Sequence, residues 1–166
     1  MKETIFNSDL VNRKIYVERE FDAPVEQVWK AWTESELLAE WWAPKPFKAV
    51  TKEMDFRNGG HWHYYMLGLD GSKFWCMVNY LSIETHKRFD AHDFFCDEDG
   101  NRNSDMPGMH WDNIFMSDGN GTIVNITINF ASKDDLEKII SMGFKEGFTA
   151  AHHNLDILLA ENKTKL

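Results

Sequence analysis

No run of about 18 apolar residues occurs in this sequence, so no segment reads as a membrane-spanning helix. Clusters of lysine and arginine are also missing. With 18 basic against 27 acidic residues the net charge is −9, which argues against nucleic acid and anionic membranes as partners. Solubility alone accounts for such an acidic surface. The opening stretch MKETIFNSDLVNRK lacks the apolar core of a signal peptide. Cysteine is scarce, and Cys76 and Cys96 form neither a C-x-x-C pair nor a zinc-type spacing. These absences together lead us to expect a cytoplasmic protein with reduced thiols. The sequence also has no G-x-S-x-G elbow, phosphate loop, dinucleotide fingerprint or H-E-x-x-H, and nothing in it calls for a cofactor. The acidic stretch DEDGNRNSD lacks the spaced acids and final glutamate of a calcium loop.

Aromatic residues are abundant. Seven Trp and twelve Phe bring the aromatic share to 14%, so many flat side chains must be buried together or must line a pocket. A chain of 166 residues suits one domain over 1–166, its core spanning about 14–162, with room for a cavity.

The patterning predicts a strand over KIYVEREF (14–21), which alternates strictly. DAPVEQVWKAWT then opens a helix, with Asp22 near the cap, Pro24 in the first turn, and Val25, Val28, Trp29 and Trp32 at helical spacing. Thr33 and Glu36 form a capping-box pattern for a second short helix, which Pro44 and Pro46 end. From Phe47 the period becomes two for about 85 residues. Asn58-Gly59, Asp70-Gly71, Asp99-Gly100 and Asn120-Gly121 mark turns between strands near 47–56, 60–69, 73–84, 87–97, 109–117 and 121–131. Ser132 and Asp135 cap a final helix reaching about Asn162, with a break expected at Gly143 or Gly147. An antiparallel sheet with one apolar face needs a cover, and only the last helix is long enough to supply it. The expected fold class is α+β, a helix-grip arrangement with a curved antiparallel sheet wrapped around a long C-terminal helix.

The stretch GGHWHYYM poses a choice between two faces. His61 and His63 have the spacing that offers two imidazoles to one metal, while Trp62, Tyr64 and Met66 occupy the opposite phase. A buried Trp or Met side chain contributes about 1.5–3 kcal/mol, so the apolar set is expected to face inward. His61 and His63 then stand on the outer, wet face. Zinc wants three or four protein ligands and no third is in view, so no metal site is expected.

With these motifs in hand, the sequence resembles the START-like (SRPBCC) superfamily. REFDAPVEQVWKAWTESELLAEWWAP resembles its opening signature, and DFRNGGHWHYYM, VNYLSIETHKRF, DEDGN and MGFKEGFTAAHHNLDILL follow in order over roughly 14–160. More narrowly, the chain resembles bacterial single-domain relatives of the activator of heat-shock protein 90 ATPase. The resemblance implies a helix-grip fold with a cavity between helix and sheet. It names no ligand, because the superfamily includes lipid carriers, metabolite binders, cyclases, hydrolases and co-chaperone domains. It also implies that relatives carry an apolar residue, commonly Leu, at the position of His152.

Polar residues on an inward phase stand out because burying them unpaired is costly. His152 shares a helical stripe with Phe144, Phe148, Leu155 and Leu159; Asp93 shares a strand phase with Phe89, Ala91 and Phe95; Asn113 shares one with Trp111 and Phe115. Any one of these alone reads as a satisfied core polar group. Together, in a fold built around a cavity, they suggest contact with a polar part of a ligand. Asp93 and His152 are expected to pair, which would raise the His pKa and lower the Asp pKa. Of Trp41 and Trp42, one is expected inside and the other at an entrance or serving as a plain anchor. Phe47, Phe74 and Tyr80 read as ordinary sheet residues.

The functional expectation is binding of a small hydrophobic, aromatic or lipid-like molecule. Trp62, Tyr64, Met66, Trp111 and Phe148 would supply apolar contact, and Asp93, Asn113 and His152 would orient the ligand. The alternatives are a cyclase- or hydrolase-like enzyme using an inward Asp93/His152 pair, and a chaperone-interacting domain.

Overall fold

A computed structural model describes residues 2–164, with side chains through residue 162. Eight strands form one sheet: β1 (Ile5–Asp9), β2 (Lys14–Phe21), β3 (Lys48–Met54), β4 (His61–Leu67), β5 (Lys73–Glu84), β6 (Arg88–Phe95), β7 (Met109–Asp118) and β8 (Gly121–Phe130). The spatial order is β1-β2-β8-β7-β6-β5-β4-β3, antiparallel throughout. Helices α1 (Val25–Thr33) and α2 (Ser35–Trp41) follow β2, and α3 (Lys133–Ser141) and α4 (Phe144–Thr164) close the chain. This is the helix-grip fold expected from the sequence. No described helix is long and apolar enough to cross a membrane.

The apolar phases decide which face is covered. On β8, Val124, Ile126, Ile128 and Phe130 are all buried, and on β2 so are Ile15, Val17 and Phe21. They pack against Val28, Trp29 and Trp32 of α1, Leu38 and Trp41 of α2, and Leu155, Leu158 and Leu159 of α4. Ser132 caps α3 as expected, its Oγ accepting from the Asp135 amide at 3.1 Å. The helical region breaks at Gly143, whose φ of 86° suits glycine and stops α3.

Four local expectations need correction. β1 was not anticipated: its hairpin turn has no glycine, and Asp9 instead accepts from the Asn12 amide and side chain at 3.0 and 2.8 Å while Arg13 takes φ 56°. No side chain caps α1 or α2, and the Thr33 hydroxyl donates back to the Trp29 carbonyl at 2.9 Å. The β7–β8 turn falls one residue early, on Gly119 and Asn120, since Asp118 pairs with Gly121. His63 is on the outer face as expected but is not wet. It is 6% exposed, its ring tilted against Trp75 with centroids 4.9 Å apart, and Nε2 is 3.2 Å from the Asp97 carbonyl. The Asp97–Gly100 turn folds back over it.

Candidate functional site

The stretch that posed the first choice now forms a wall. Trp62 and Tyr64 are buried on the inner face with their rings stacked 3.8 Å apart, and Met66 continues the same phase. Opposite them His61 pairs with Glu53 at 3.1 Å. Among the described residues, no three His, Cys, Asp or Glu side chains come together as a metal site would require.

The inner face of β4–β7 does not fully close against the helices. A cleft of about 380 Å³ remains between these strands and the α3–α4 corner. Register explains its floor. Tyr64 lies opposite Cys76, and Cys76 opposite Phe95, so one row crosses three strands. Asp93 lies opposite Met109 in the next row. Met142, Gly143, Phe144, Gly147 and Phe148 form the helical wall, where the break in the helix leaves the opening. Phe47 and Phe74 stand at the mouth with centroids 6.1 Å apart, and Phe74 is half exposed. Both had read as ordinary sheet residues.

Trp42 divides this cleft from a second space. Its indole N–H donates to the Tyr64 hydroxyl at 2.9 Å, and Trp41 beside it is fully buried. Behind Trp42 lies a void of about 30 Å³ bordered by Trp62, Val78, Tyr80, Asp93, Trp111 and Asn113, among others. Asp93, Trp111 and Trp42 border both spaces. Two buried polar atoms here lack a protein partner, Asn113 Oδ1 and Trp111 Nε1; Asn113 Nδ2 donates to the Phe89 carbonyl at 3.4 Å.

The structure thus gathers Tyr64, Met66, Asp93, Trp111 and Phe148 at the cleft, and sets Trp62 and Asn113 at the inner void. His152 borders neither. Its Nδ1 lies 2.9 Å from Thr4 Oγ1 and its ring packs against Phe21, Trp32, Trp41 and Phe148. The expected Asp93–His152 pair is not formed, and both pKa values move opposite to the expectation. Burial holds His152 down at about 3, with Arg19 and His153 adding to the effect. Burial pushes Asp93 up to about 7, only partly opposed by the neighbouring Trp111 indole. Both shifts follow from desolvation, which disfavours the charged form of either group. An acid–base pair built from these two residues has no geometric support.

Packed protein surrounds the Asp93 carboxyl, yet the cleft leaves the residue only partly buried. The folded state keeps this proton up to about pH 7 while an unfolded aspartate releases it near 3.9. Asp93 is therefore neutral and harmless below about pH 4, and destabilises the fold increasingly as pH rises through 7. Asp93→Asn is expected to match wild type near pH 4 and to gain about 2 kcal/mol near pH 8, after allowance for solvent in the cleft. Urea melts at the two pH values check this.

Sequence reasoning missed Arg19, which lies on the buried phase of β2 with 1% exposure and pairs with Asp156 of α4. A charge in line with Ile15, Val17 and Phe21 was the available signal.

The family model described as Activator of Hsp90 ATPase homolog 1-like protein matches residues 22–160. Comparison with curated proteins finds no match. Among solved structures, a protein from Arthrobacter aurescens is 29% identical, with a TM-score of 0.89, covering 95% of this chain and 91% of its own. A protein from Mycobacterium smegmatis is 30% identical, with a TM-score of 0.87 and coverage of 95% and 96%. The AHSA1 protein from Silicibacter pomeroyi, 18% identical at a TM-score of 0.72 with coverage of 90% and 99%, shares the fold.

Proposed function

This chain belongs to the Activator of Hsp90 ATPase homolog 1-like family, and from that premise we propose that it binds a small hydrophobic, partly aromatic or lipid-like molecule in the cleft. The observation that carries the reading is the cleft itself. At about 380 Å³ it falls within the range of about 300–1,000 Å³ usual for ligand sites. Its walls are apolar and aromatic except for a few polar atoms, the composition that buries a greasy ligand while fixing its orientation. The fold commonly holds hydrophobic ligands, which supports the same reading. Tyr64, Met66, Trp111 and Phe148 make apolar contact and Asp93 orients the ligand. Trp62 and Asn113 back the site from the inner void, and His152 serves the packing of α4. The free thiols of Cys76 and Cys96 fit a reducing, cytoplasmic setting.

Gly147 offers a test that spares the fold. A Cβ there meets nothing nearer than Pro44 Cγ at 3.6 Å, so a larger residue enters cleft space rather than backbone. Leucine also favours a helix over glycine by up to about 1 kcal/mol. Gly147→Leu is expected to melt no lower than wild type and to weaken binding of 2-(1-naphthyl)ethanol at least about tenfold, about 1.4 kcal/mol. Quenching of tryptophan fluorescence reads the affinity. A folded Gly147→Leu protein that binds the probe as tightly as wild type contradicts the cleft as the site.

A further inference from the structure

Among the described residues, Asp93 is the one charged residue lining the cleft. No lysine, arginine or histidine among the described residues forms an ion pair with it. Its strand partners are Val78 and Met109, which offer no side-chain donor. The Trp111 indole N–H is close enough to favour the charged carboxyl, yet makes no aligned hydrogen bond to it. The other titratable groups facing it are Tyr64 of β4, Cys76 of β5 and Cys96 just beyond β6; burial keeps all three protonated and neutral, so none compensates a carboxylate.

Three aromatic rings line the cleft with this carboxyl and pack tilted or edge to face against one another. Trp42, Trp111 and Phe148 form a triangle with centroid separations of 6.0, 5.5 and 6.0 Å, and the Tyr64 hydroxyl is tied to Trp42. Aromatic faces attract organic cations, most strongly where water is excluded, and a lone carboxylate adds the full opposite charge. A hydrophobic acid would meet repulsion in the same place, and a neutral alcohol would gain neither term. Burying an unpartnered charge is costly, so a carboxyl kept at the floor of an aromatic cleft is complementary to a ligand that brings the missing positive charge.

We propose that the cleft selects hydrophobic amines, the protonated nitrogen resting against Asp93 beside the rings of Trp42, Trp111 and Phe148 while the apolar body fills the space towards Phe74 and Met142. This rests on the cleft being the ligand site. Three probes of similar size separate the two claims: 2-(1-naphthyl)ethylamine, 2-(1-naphthyl)ethanol and the carboxylate 1-naphthaleneacetate. Calorimetry near pH 8, where the amine is charged and Asp93 ionised, is run on wild type and on Asp93→Asn. The expected order in wild type is amine tightest by at least about tenfold, then alcohol, then acetate. In Asp93→Asn, a variant expected to fold at least as well, the amine loses its tenfold advantage and binds no tighter than the alcohol. An alcohol that binds wild type as tightly as the amine overturns the amine proposal and leaves the cleft as the site. So does an amine preference that survives Asp93→Asn. If none of the three binds wild type, both readings fail together.

Discussion

Asp156→Ala is expected to lower folding stability by about 3–5 kcal/mol, a large effect for a partly exposed helical residue. The reason lies on β2. Arg19 occupies the inward phase between Val17 and Phe21 and is 1% exposed. Nη2 donates to the Asp156 carboxylate, Nη1 donates to the Glu20 carbonyl, and the guanidinium lies 4.9 Å from the Phe21 centroid. Removing the carboxylate leaves a buried cation without its partner, and that desolvation cost dominates the change. Arg19→Met combined with Asp156→Leu removes the charge as well as its partner, and is expected to lie within about 1 kcal/mol of wild type. Urea unfolding of the single and double variants checks both numbers. A single variant within about 1 kcal/mol of wild type would show that the pair does not hold α4 to β2. Because α4 also carries Gly147 and Phe148, the same substitution loosens one wall of the cleft.

His152→Leu is expected to make the fold resistant to acid. In the folded protein this imidazole stays neutral down to about 3, whereas an unfolded histidine takes its proton near 6.5. The unfolded state therefore binds the extra proton as pH falls from about 6.5, and stability declines until the folded pKa is reached. The full interval corresponds to about 3–5 kcal/mol. The ring is enclosed by Phe21, Trp32, Trp41 and Phe148, with Arg19 and His153 the charged or titratable neighbours that add to burial. Leucine has no proton to bind and suits the surrounding rings. It forfeits the Thr4 hydrogen bond, a loss of about 1 kcal/mol that appears equally at every pH. Near pH 7 the variant should therefore be about 1 kcal/mol less stable than wild type, and near pH 4 it should be clearly more stable. Equal losses in both proteins between pH 7 and pH 4 would mean that another group governs acid sensitivity.

The meander was legible because two signals agreed over its length. A period of two placed the apolar phase, and Gly59, Gly71 and Gly100 each take the positive φ that their turns require. β1 was illegible for the converse reason, since a short polar strand followed by a glycine-free turn carries neither signal. Phase also gave the face of His63 correctly. It could not give its burial, because the cover comes from the Asp97–Gly100 turn, more than thirty residues further along the chain. The same distinction explains the missing Asp93–His152 pair: periodicity sets the direction of a side chain and says nothing of its position along the groove. Asp93 borders the cleft, while His152 sits deeper against Trp32 and Trp41. The mouth residues Phe47, Phe74 and Met142 come from three separate segments, brought together by the sheet and by the helix break at Gly143. No local pattern records that meeting.

The methionines provide the most direct test of the central claim, that the cleft is a ligand site. Met66, Met109 and Met142 line it, whereas Met54, Met77 and Met116 do not. With methionine methyls labelled with carbon-13, saturating 2-(1-naphthyl)ethanol should shift the first three signals through the ring current of the bound naphthalene. The other three should stay in place. Shifts at Met116, on the outer face of β7, with Met66, Met109 and Met142 unmoved, would contradict the account.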